Sequence, residues 1–229
     1  MGAHINTPRW NNGYIEKGAA LDITWYGLSC FRLAERGKLT VITDPFADSI
    51  GLAAPKLKGD VVTVSHEVPG HNNVSAIKGE PYVIRGAGEY EIGGVFVTGI
   101  AMNNEEMGVQ NIAYLIDFDG LTVLHLGDLN HVPDQSLVQE LGEVNALLIP
   151  VGGGGGLRAA QAAEVVALIE PYYVIPMHYE QPGIAFSLDP VDKFLKAMGV
   201  SKAQESDTLR ISASDQPEQP QVVVLLPQV

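Results

Sequence analysis

Histidine and aspartate side chains stand close after apolar runs of the kind that forms buried strands. The side chains concerned are Asp44, His66, His71, His125, Asp128, His131 and His178. If these runs end at one edge of the sheets, their imidazoles and carboxylates converge from distant parts of the chain. Zn²⁺ and similar divalent cations bind such mixtures of nitrogen and oxygen donors. The pattern therefore predicts a shared metal site, although any one of these histidines alone would be a core or surface residue.

The elements that would position these side chains are short. Apolar and alternating runs predict strands at 22–25, 30–33, 39–43, 61–65, 82–84, 95–98, 111–118, 121–126, 146–151, 173–177, 208–212 and 222–226. Helical spacing of apolar residues predicts helices at 133–143, 158–170 and 190–198. Asp119-Gly120, between two of the strands, predicts a type I′ hairpin.

Strands come first and then alternate with helices, an order that predicts a layered α/β domain with two sheets between helices. The 229 residues, 46% of them apolar, suffice for one domain with a sizeable core. We expect residues 1–20 to be a leader and residues 21–229 to form that single domain.

Composition argues against several classes of function. The 14 basic and 27 acidic residues give a net charge of −13, which repels nucleic acid. No apolar run has the length of a membrane span, and residues 1–18 lack the pattern of a secretory signal. The single cysteine, Cys30, is expected in the core, without a disulfide or a thiolate zinc cluster. We therefore expect a cytoplasmic protein that binds neither nucleic acid nor membranes.

Several motifs stand in an order and spacing that resemble one family. They are Trp25-Tyr26-Gly27, Ser29-Cys30-Phe31, Thr43-Asp44-Pro45-Phe46, Ser65-His66, Gly70-His71-Asn72, Gly88-Glu89-Tyr90, His125-Leu126-Gly127-Asp128-Leu129, Ile149-Pro150-Val151-Gly152-Gly153 and Pro176-Met177-His178-Tyr179. Over about residues 22–200 the chain resembles the metallo-β-lactamase superfamily, in particular the simple metal-dependent hydrolases that include ascorbate-6-phosphate lactonase-like proteins. The resemblance implies an αββα four-layer sandwich and a metal-dependent hydrolase site.

The hallmark of that family, His-x-His-x-Asp-His, aligns with residues 66–71, where this chain has lost two side chains. Val68 stands in place of the second histidine, and Gly70 stands in place of the aspartate. A further family histidine is replaced within Met102-Asn103-Asn104, and Leu28 stands where relatives commonly carry a polar residue. A pair of ions about 3.5–4 Å apart needs more donors than remain. We therefore expect one metal ion at most.

The resemblance implies His71, Asp128 and His178 as ligands of that ion, with His66 as a fourth donor. Three protein ligands and a water are typical of a catalytic zinc site. One divalent cation, with zinc as the first candidate, is thus the expected cofactor. Asp128 and His66 are also the expected catalytic residues, since Asp128 would position the water and His66 would assist.

Four other side chains are expected around these ligands. Asp44 and His125 would orient ligands or neighbouring loops by hydrogen bonds. His131 either lines the pocket or is an exposed histidine, and Glu89 either reaches the site or carries a solvated charge in a turn. The run Gly152–Gly156 is interpreted as a flexible turn, with an anion-binding loop as the alternative.

Two functions stay open at this point. The first is a mononuclear metal-dependent hydrolase that acts on a small ester, lactone or phosphoester through a metal-activated water. The second is a non-catalytic protein of the same fold, a binding or scaffold protein without its metal centre, which Val68 and Gly70 motivate. The expected partners are a small-molecule substrate and, through the apolar end VVVLLPQV, a second copy of the chain.

Overall fold

The computed structural model describes residues 20–102 and 110–228. Its strands are β1 (Ala20–Trp25), β2 (Phe31–Glu35), β3 (Val41–Thr43), β4 (Val61–Thr63), β5 (Tyr82–Ile84), β6 (Gly88–Ile92), β7 (Val95–Ala101), β8 (Ile112–Asp117), β9 (Thr122–His125), β10 (Ala146–Pro150), β11 (Tyr173–Met177), β12 (Gln204–Ser206), β13 (Leu209–Ser212) and β14 (Gln221–Leu225). The helices are α1 (Gln135–Glu140), α2 (Ala159–Ile169) and α3 (Val191–Ala197). The expected leader lies outside the described residues, apart from Ala20, which begins β1.

These strands form two sheets. The six-stranded sheet has the order β13-β1-β2-β3-β4-β5, and the eight-stranded sheet has the order β12-β14-β11-β10-β9-β8-β7-β6. Strands β3, β4 and β5 run parallel in the first sheet, and β9, β10, β11, β14 and β12 run parallel in the second. The predicted fold class, an α/β sandwich of the metallo-β-lactamase type, is confirmed.

Helices cover the second sheet and loops cover the first. Helix α2 joins the parallel strands β10 and β11 and buries Ala162, Val165, Val166 and Ile169 in the main core. The outer face of the first sheet is covered by two 3-10 helices, Asp48–Ile50 and Val74–Ala76, with their flanking loops. Prolines and glycines in these loops, such as Pro55 and Pro69, prevent longer helices.

The main core lies between the two sheets. All five residues of β10 and all three of β4 are buried, which explains why both strands are continuous apolar runs in the sequence. Cys30 is buried, as predicted, in the smaller core on the outer face of the first sheet. The apolar run VVVLLPQV supplies β14, whose residues 222–225 are buried between β12 and β11. Leu226, which follows β14, is 43% exposed, and a homo-oligomer through this end of the chain stays a prediction.

Local signals located most elements but missed two strands, β6 and β12. The Asp119-Gly120 hairpin is confirmed, because β8 and β9 are antiparallel and both turn residues have positive φ, 60° and 92°. Glu89 does not lie in a turn, as one interpretation held, but in β6, an edge strand paired with β7. The alternation in GEYEI is a strand signal that the flanking glycines concealed.

No helix within residues 20–102 and 110–228 is both long enough and apolar enough to cross a membrane.

One buried hydroxyl connects the two sheets close to the strand ends that carry the site. Tyr114, on β8, donates to the carbonyl of Val64 at 2.8 Å and lies 3.3 Å from that of Ile84. We expect Tyr114→Phe to lower the free energy of unfolding by about 1–2 kcal/mol, because a buried carbonyl loses its donor. Urea unfolding measures this, and Tyr82→Phe, at a 53% exposed tyrosine, is the control. Equal midpoints for the two variants would contradict the prediction.

Candidate metal centre

The four side chains predicted as metal ligands come together at one edge of the sandwich. Donor atoms of His66, His71 and Asp128 all lie within 4.8 Å of one another. His178 Nε2 lies 3.8 Å from Asp128 Oδ1, and His66 Nδ1 lies 4.0 Å from Asp128 Oδ2. Two ligands of a tetrahedral zinc ion are about 3.4 Å apart, given bonds of about 2.1 Å. The donor atoms are therefore slightly farther apart than they would be around a bound ion.

A buried carboxylate fixes the orientation of His71. Asp44 Oδ2 lies 2.8 Å from His71 Nδ1, and both side chains are buried. An ionised carboxylate only accepts, so Nδ1 carries the proton and Nε2 keeps a free lone pair. The backbone N–H of Ser65 donates to Asp44 Oδ1 at 2.8 Å, and the Ser65 hydroxyl donates to Oδ2. This is the arrangement by which a carboxylate prepares a histidine to bind a metal.

In the metal-free protein, an ionised Asp44 and a protonated His71 stabilise each other against burial. Burial raises the pKa of Asp44, but the charges that His125 and His71 carry when protonated, and the hydrogen bonds from His71 and Ser65, outweigh this effect, so the net shift is downward. Burial lowers the pKa of His71, yet the charge and hydrogen bond of Asp44 and the charge of Asp128 outweigh it, so the net shift is upward.

His125 supports two loops behind the ligands. Its Nε2 donates to the carbonyl of Ser29 at 2.9 Å, and its Nδ1 accepts the N–H of Gly127 at 3.3 Å. Burial lowers the pKa of His125, and the charge of Asp44 only partly offsets this, so the ring is neutral and can play both roles. His125 thus holds the loop that carries Asp128.

Asn111 holds the same loop from the other side. Its Oδ1 accepts the N–H of Asp128 at 2.9 Å, and its Nδ2 donates to the carbonyl of Leu126 at 2.9 Å. Gly127 has φ +60°, and a Cβ there would lie 2.4 Å from Asn111 Oδ1. Only glycine fits this turn, so the backbone places the Asp128 carboxylate.

The two ends of the glycine run pack against predicted ligands. The N–H of Gly152 donates to the carbonyl of His178 at 3.1 Å. A Cβ on Gly156 would lie 2.7 Å from Asp128 Oδ1, too close for a side chain. Gly154 and Gly155, between these ends, are exposed, and the flexibility of the turn stays a prediction.

Left-handed backbone conformations concentrate at the site. Among the described residues the non-glycine positions with positive φ are Leu28, Asp44, Asp119, Glu170 and His178. Asp119 belongs to the hairpin and Glu170 ends α2, whereas the other three surround the donor cluster. Such conformations cost about 1–3 kcal/mol each and persist only where packing holds them.

Two buried atoms of the cluster are unpaired. Within the part of the chain that the structure describes, His66 Nδ1 and Asp128 Oδ1 have no hydrogen-bond partner. His178 Nδ1 has none either, but the nitrogen of His178 that faces Asp128 is Nε2. A buried polar atom without a partner costs about 1–3 kcal/mol. Unpaired imidazole nitrogen and carboxylate oxygen in one cluster match the donor chemistry of a divalent cation such as zinc.

A cavity of about 390 Å³ opens over these donors. His71, Asp128 and His178 form one part of its wall, and Val68 and Gly70 form another. The two positions that lack family donors therefore face the same space as the ligands. A Cβ on Gly70 would meet only Leu28 Cδ1, at 3.6 Å, so a larger side chain has room there.

His131, Glu89 and the predicted ligand His66 do not line this cavity, and His66 lines a neighbouring one. His131 lies 3.1 Å, ring nitrogen to amide oxygen, from the side chain of Asn130, and Glu89 is exposed on β6. Sequence reasoning in turn missed the roles of Asn111 and Phe186. The ring of Phe186 lies 6.3 Å from that of His178. No local pattern marks either residue, because both act on ligands far away in the sequence.

The sequence was also compared with known families. A model of the beta-lactamase superfamily domain matches residues 22–178. The chain belongs to this superfamily. A relative from Pyrococcus abyssi, named a metal-dependent hydrolase, is 31% identical over 170 residues, which are 70% of this chain and 74% of the relative. Another metal-dependent hydrolase, from Natranaerobius thermophilus, is 26% identical over 186 residues, 69% of this chain and 83% of the relative.

Solved structures of this superfamily have the same architecture. A candidate Zn-dependent hydrolase of the metallo-β-lactamase superfamily from Thermotoga maritima superposes with a TM-score of 0.76 and 37% identity. The match covers 90% of this chain and 98% of that chain. A metallo hydrolase from Ignicoccus hospitalis, 19% identical, has a TM-score of 0.64 over 84% of this chain and 99% of its own, and shares the fold.

The Asp44–His71 pair predicts a pH-dependent contribution to stability. Asp44 stabilises the fold above its unfolded pKa of about 3.9 and less as pH falls through its lower folded pKa. His71 stabilises the fold below about pH 6.5 and less as pH rises through its higher folded pKa. For metal-free protein, we expect Asp44→Asn to lower the free energy of unfolding most between about pH 4 and 6.5. Urea unfolding at several pH values measures the cost.

Asp192→Asn, at an exposed carboxylate in the first turn of α3, is the control for this series. Its effect should be small and nearly constant over the same pH range. If the loss of stability in Asp44→Asn does not change with pH, Asp44 and His71 do not form an ion pair in the fold.

Proposed function

We propose that this protein is a hydrolase that uses one divalent metal ion, with zinc as the first candidate. His71, Asp128 and His178 would hold the ion, and His66 would be a fourth donor. The observation that carries the proposal is the cluster of converging donors. In it, His66 Nδ1 and Asp128 Oδ1 are buried and unpaired, and the hydrogen bond from His71 Nδ1 to Asp44 leaves His71 Nε2 free. The metal-dependent hydrolases among its relatives support the same assignment.

The side chains around the ion have separate tasks. A bound dication lowers the pKa of a water towards neutrality and stabilises negative charge on the substrate oxygen. Asp128, held by Asn111, positions that water and accepts its hydrogen bond. Burial lowers the pKa of His66, and neighbouring His71 lowers it further, so His66 is neutral near pH 7 and can take up a proton. Burial likewise lowers the pKa of His178 and keeps it available as a ligand.

The substrate of this site would be small. A cavity of about 390 Å³ lies at the lower end of ligand pockets. Hydrolysis of an ester, a lactone or a phosphoester needs only a positioned water and stabilisation of the developing charge, and both can come from one ion. We also propose a cytoplasmic location, because the single cysteine is buried and cannot form an intrachain disulfide.

Metal content tests the ligand set directly. We expect purified protein loaded with Zn²⁺ to bind about one equivalent. His71→Ala and His178→Ala should each weaken affinity about 100-fold or more, and Asp44→Asn about 10–100-fold through the misdirected imidazole. Competition with a chromophoric chelator measures these affinities, and elemental analysis gives the stoichiometry.

His131→Ala is the matched control for these histidine variants, because His131 contacts Asn130 outside the cavity. Its affinity should equal that of the unmodified protein. If the unmodified protein and its variants bind none of Zn²⁺, Mn²⁺, Fe²⁺ and Co²⁺ after loading, the proposal of a single-metal hydrolase is wrong.

Restoring a lost donor offers a complementary test. Gly70→Asp places a carboxylate in the cavity wall, where the ideal Cβ has ordinary contacts only. We expect this variant to bind the first metal equivalent at least about 10-fold more tightly, because it adds a charged donor beside His71. Gly70→Ala controls for the added Cβ. Equal metal affinity of the two variants would place the ion away from residue 70.

A non-catalytic function is favoured by one observation, namely that Val68 and Gly70 face the donor cavity in place of two ligands. On this alternative the chain would bind a small molecule or a partner protein without a metal. His178→Ala would then leave ligand binding unchanged, whereas the hydrolase predicts lost metal affinity in the same variant.

A further inference from the structure

The wall of the donor cavity has an unusual balance of charge. Among the described residues that line it, the formally charged side chain is Asp128, and no lysine or arginine takes part. The described part of the wall therefore offers no cation to an anionic substrate.

A basic side chain in the neighbouring cavity is already paired. Arg85 lines a separate cavity on the other side of His66 and forms an ion pair of 2.5 Å with Glu67. This pair has no net formal charge. A phosphate or carboxylate near His66 would have to compete with Glu67 for the guanidinium.

A bound dication would not reverse this balance. The carboxylates of Asp44 and Asp128, one behind His71 and one in the cavity, formally offset its two positive charges. The chain as a whole carries a net charge of −13. An anionic substrate would thus lose its hydration without gaining a compensating cation, which is costly in a partly enclosed site.

The rest of the wall is apolar. Leu28, Ile50, Val68, Pro69 and Phe186 line the cavity. Phe186 remains 40% exposed, and its ring lies 6.3 Å from the imidazole of His178, so it can cover a substrate at the mouth of the cavity. Apolar walls with a few polar groups at one end bind molecules with an apolar body and one polar reacting group.

We propose that the substrate is an uncharged carboxylic ester or lactone with an apolar acyl chain, and not a phosphoester or an acid-bearing ester. This inference rests on the proposed hydrolase function and narrows it. Water adds to the acyl carbonyl, the C–O bond to the alkoxy group breaks, and the products are a carboxylic acid and an alcohol.

Matched substrates test the proposal in zinc-loaded protein. 4-Nitrophenyl butyrate and mono-4-nitrophenyl succinate have acyl chains of equal length, and the succinate ends in a carboxylate. We expect kcat/KM to be at least about 10-fold higher for the butyrate, since one uncompensated charge in such a wall costs at least that factor. 4-Nitrophenyl phosphate should be slower than both. Preference for the succinate or the phosphate would overturn the inference.

Two variants locate the preference in this cavity. Phe186→Ala should raise KM for the butyrate about 5-fold or more with little change in kcat, while Phe96→Ala, at a 48% exposed phenylalanine on β7, should change neither. Ser49→Lys adds a cation at an exposed position of the cavity wall and should raise kcat/KM for the succinate relative to the butyrate. An unchanged ratio in Ser49→Lys would place the substrate elsewhere.

Binding of substrate analogues that are not hydrolysed distinguishes a failure of this inference from a failure of the hydrolase proposal. If no ester is turned over, calorimetric titration with butyranilide and with succinanilic acid, its carboxylate analogue, reads the same preference without catalysis. Tighter binding of butyranilide, weakened in Phe186→Ala, would support the inference while the hydrolase proposal fails. Tighter binding of succinanilic acid, or no binding of either compound, would refute it.

Discussion

A charged carboxylate buried in the sandwich, Asp44, is the constraint on which the site depends. A buried charge is tolerated only with several hydrogen bonds and an opposite charge nearby. Here the backbone and hydroxyl of Ser65 and the imidazole of His71 supply them. Because both residues follow β4, satisfying Asp44 fixes the path of residues 65–71. That path carries His71, Val68 and Gly70 to the cavity and His66 to the neighbouring one.

The hydrogen-bond network that supports the ligands is complete, although two positions beside them carry no donor. Val68 and Gly70 cannot bind a metal, yet the network that orients the remaining ligands is intact. The site also keeps three strained residues and three unpaired buried atoms, each of which costs free energy in the folded chain. On the proposed function, an ion would offset part of that cost by pairing His66 Nδ1 and Asp128 Oδ1.

Electrostatics divides the surroundings of the cluster into two parts. Behind the ligands, Asp44 and His71 form a pair whose opposite charges hold each other in place. In front of them, the cavity wall is apolar and has no basic side chain among its described residues. The Asp44–His71 pair positions the metal-binding side chains, whereas the apolar wall limits which substrates can approach them. An acidic chain can thus bind a cation firmly and still prefer a neutral substrate.

The sequence by itself determined the strands, the hairpin at Asp119-Gly120, the donor types and the loss of donors at 68 and 70. Those features follow from local periodicity, turn chemistry and the identity of side chains, all of which are local properties. β6 escaped prediction because its glycine neighbours resembled a turn, and β12 because its three polar residues, Gln204–Ser206, show no apolar pattern. Tertiary structure alone decided that Asp44 accepts a hydrogen bond from His71 and that Gly156 lies close to Asp128. It also decided that Phe186 lies near His178, whereas His131 contacts Asn130 outside the cavity. These contacts join residues that are far apart in the sequence, and their distances depend on how the two sheets pack, which no local pattern encodes.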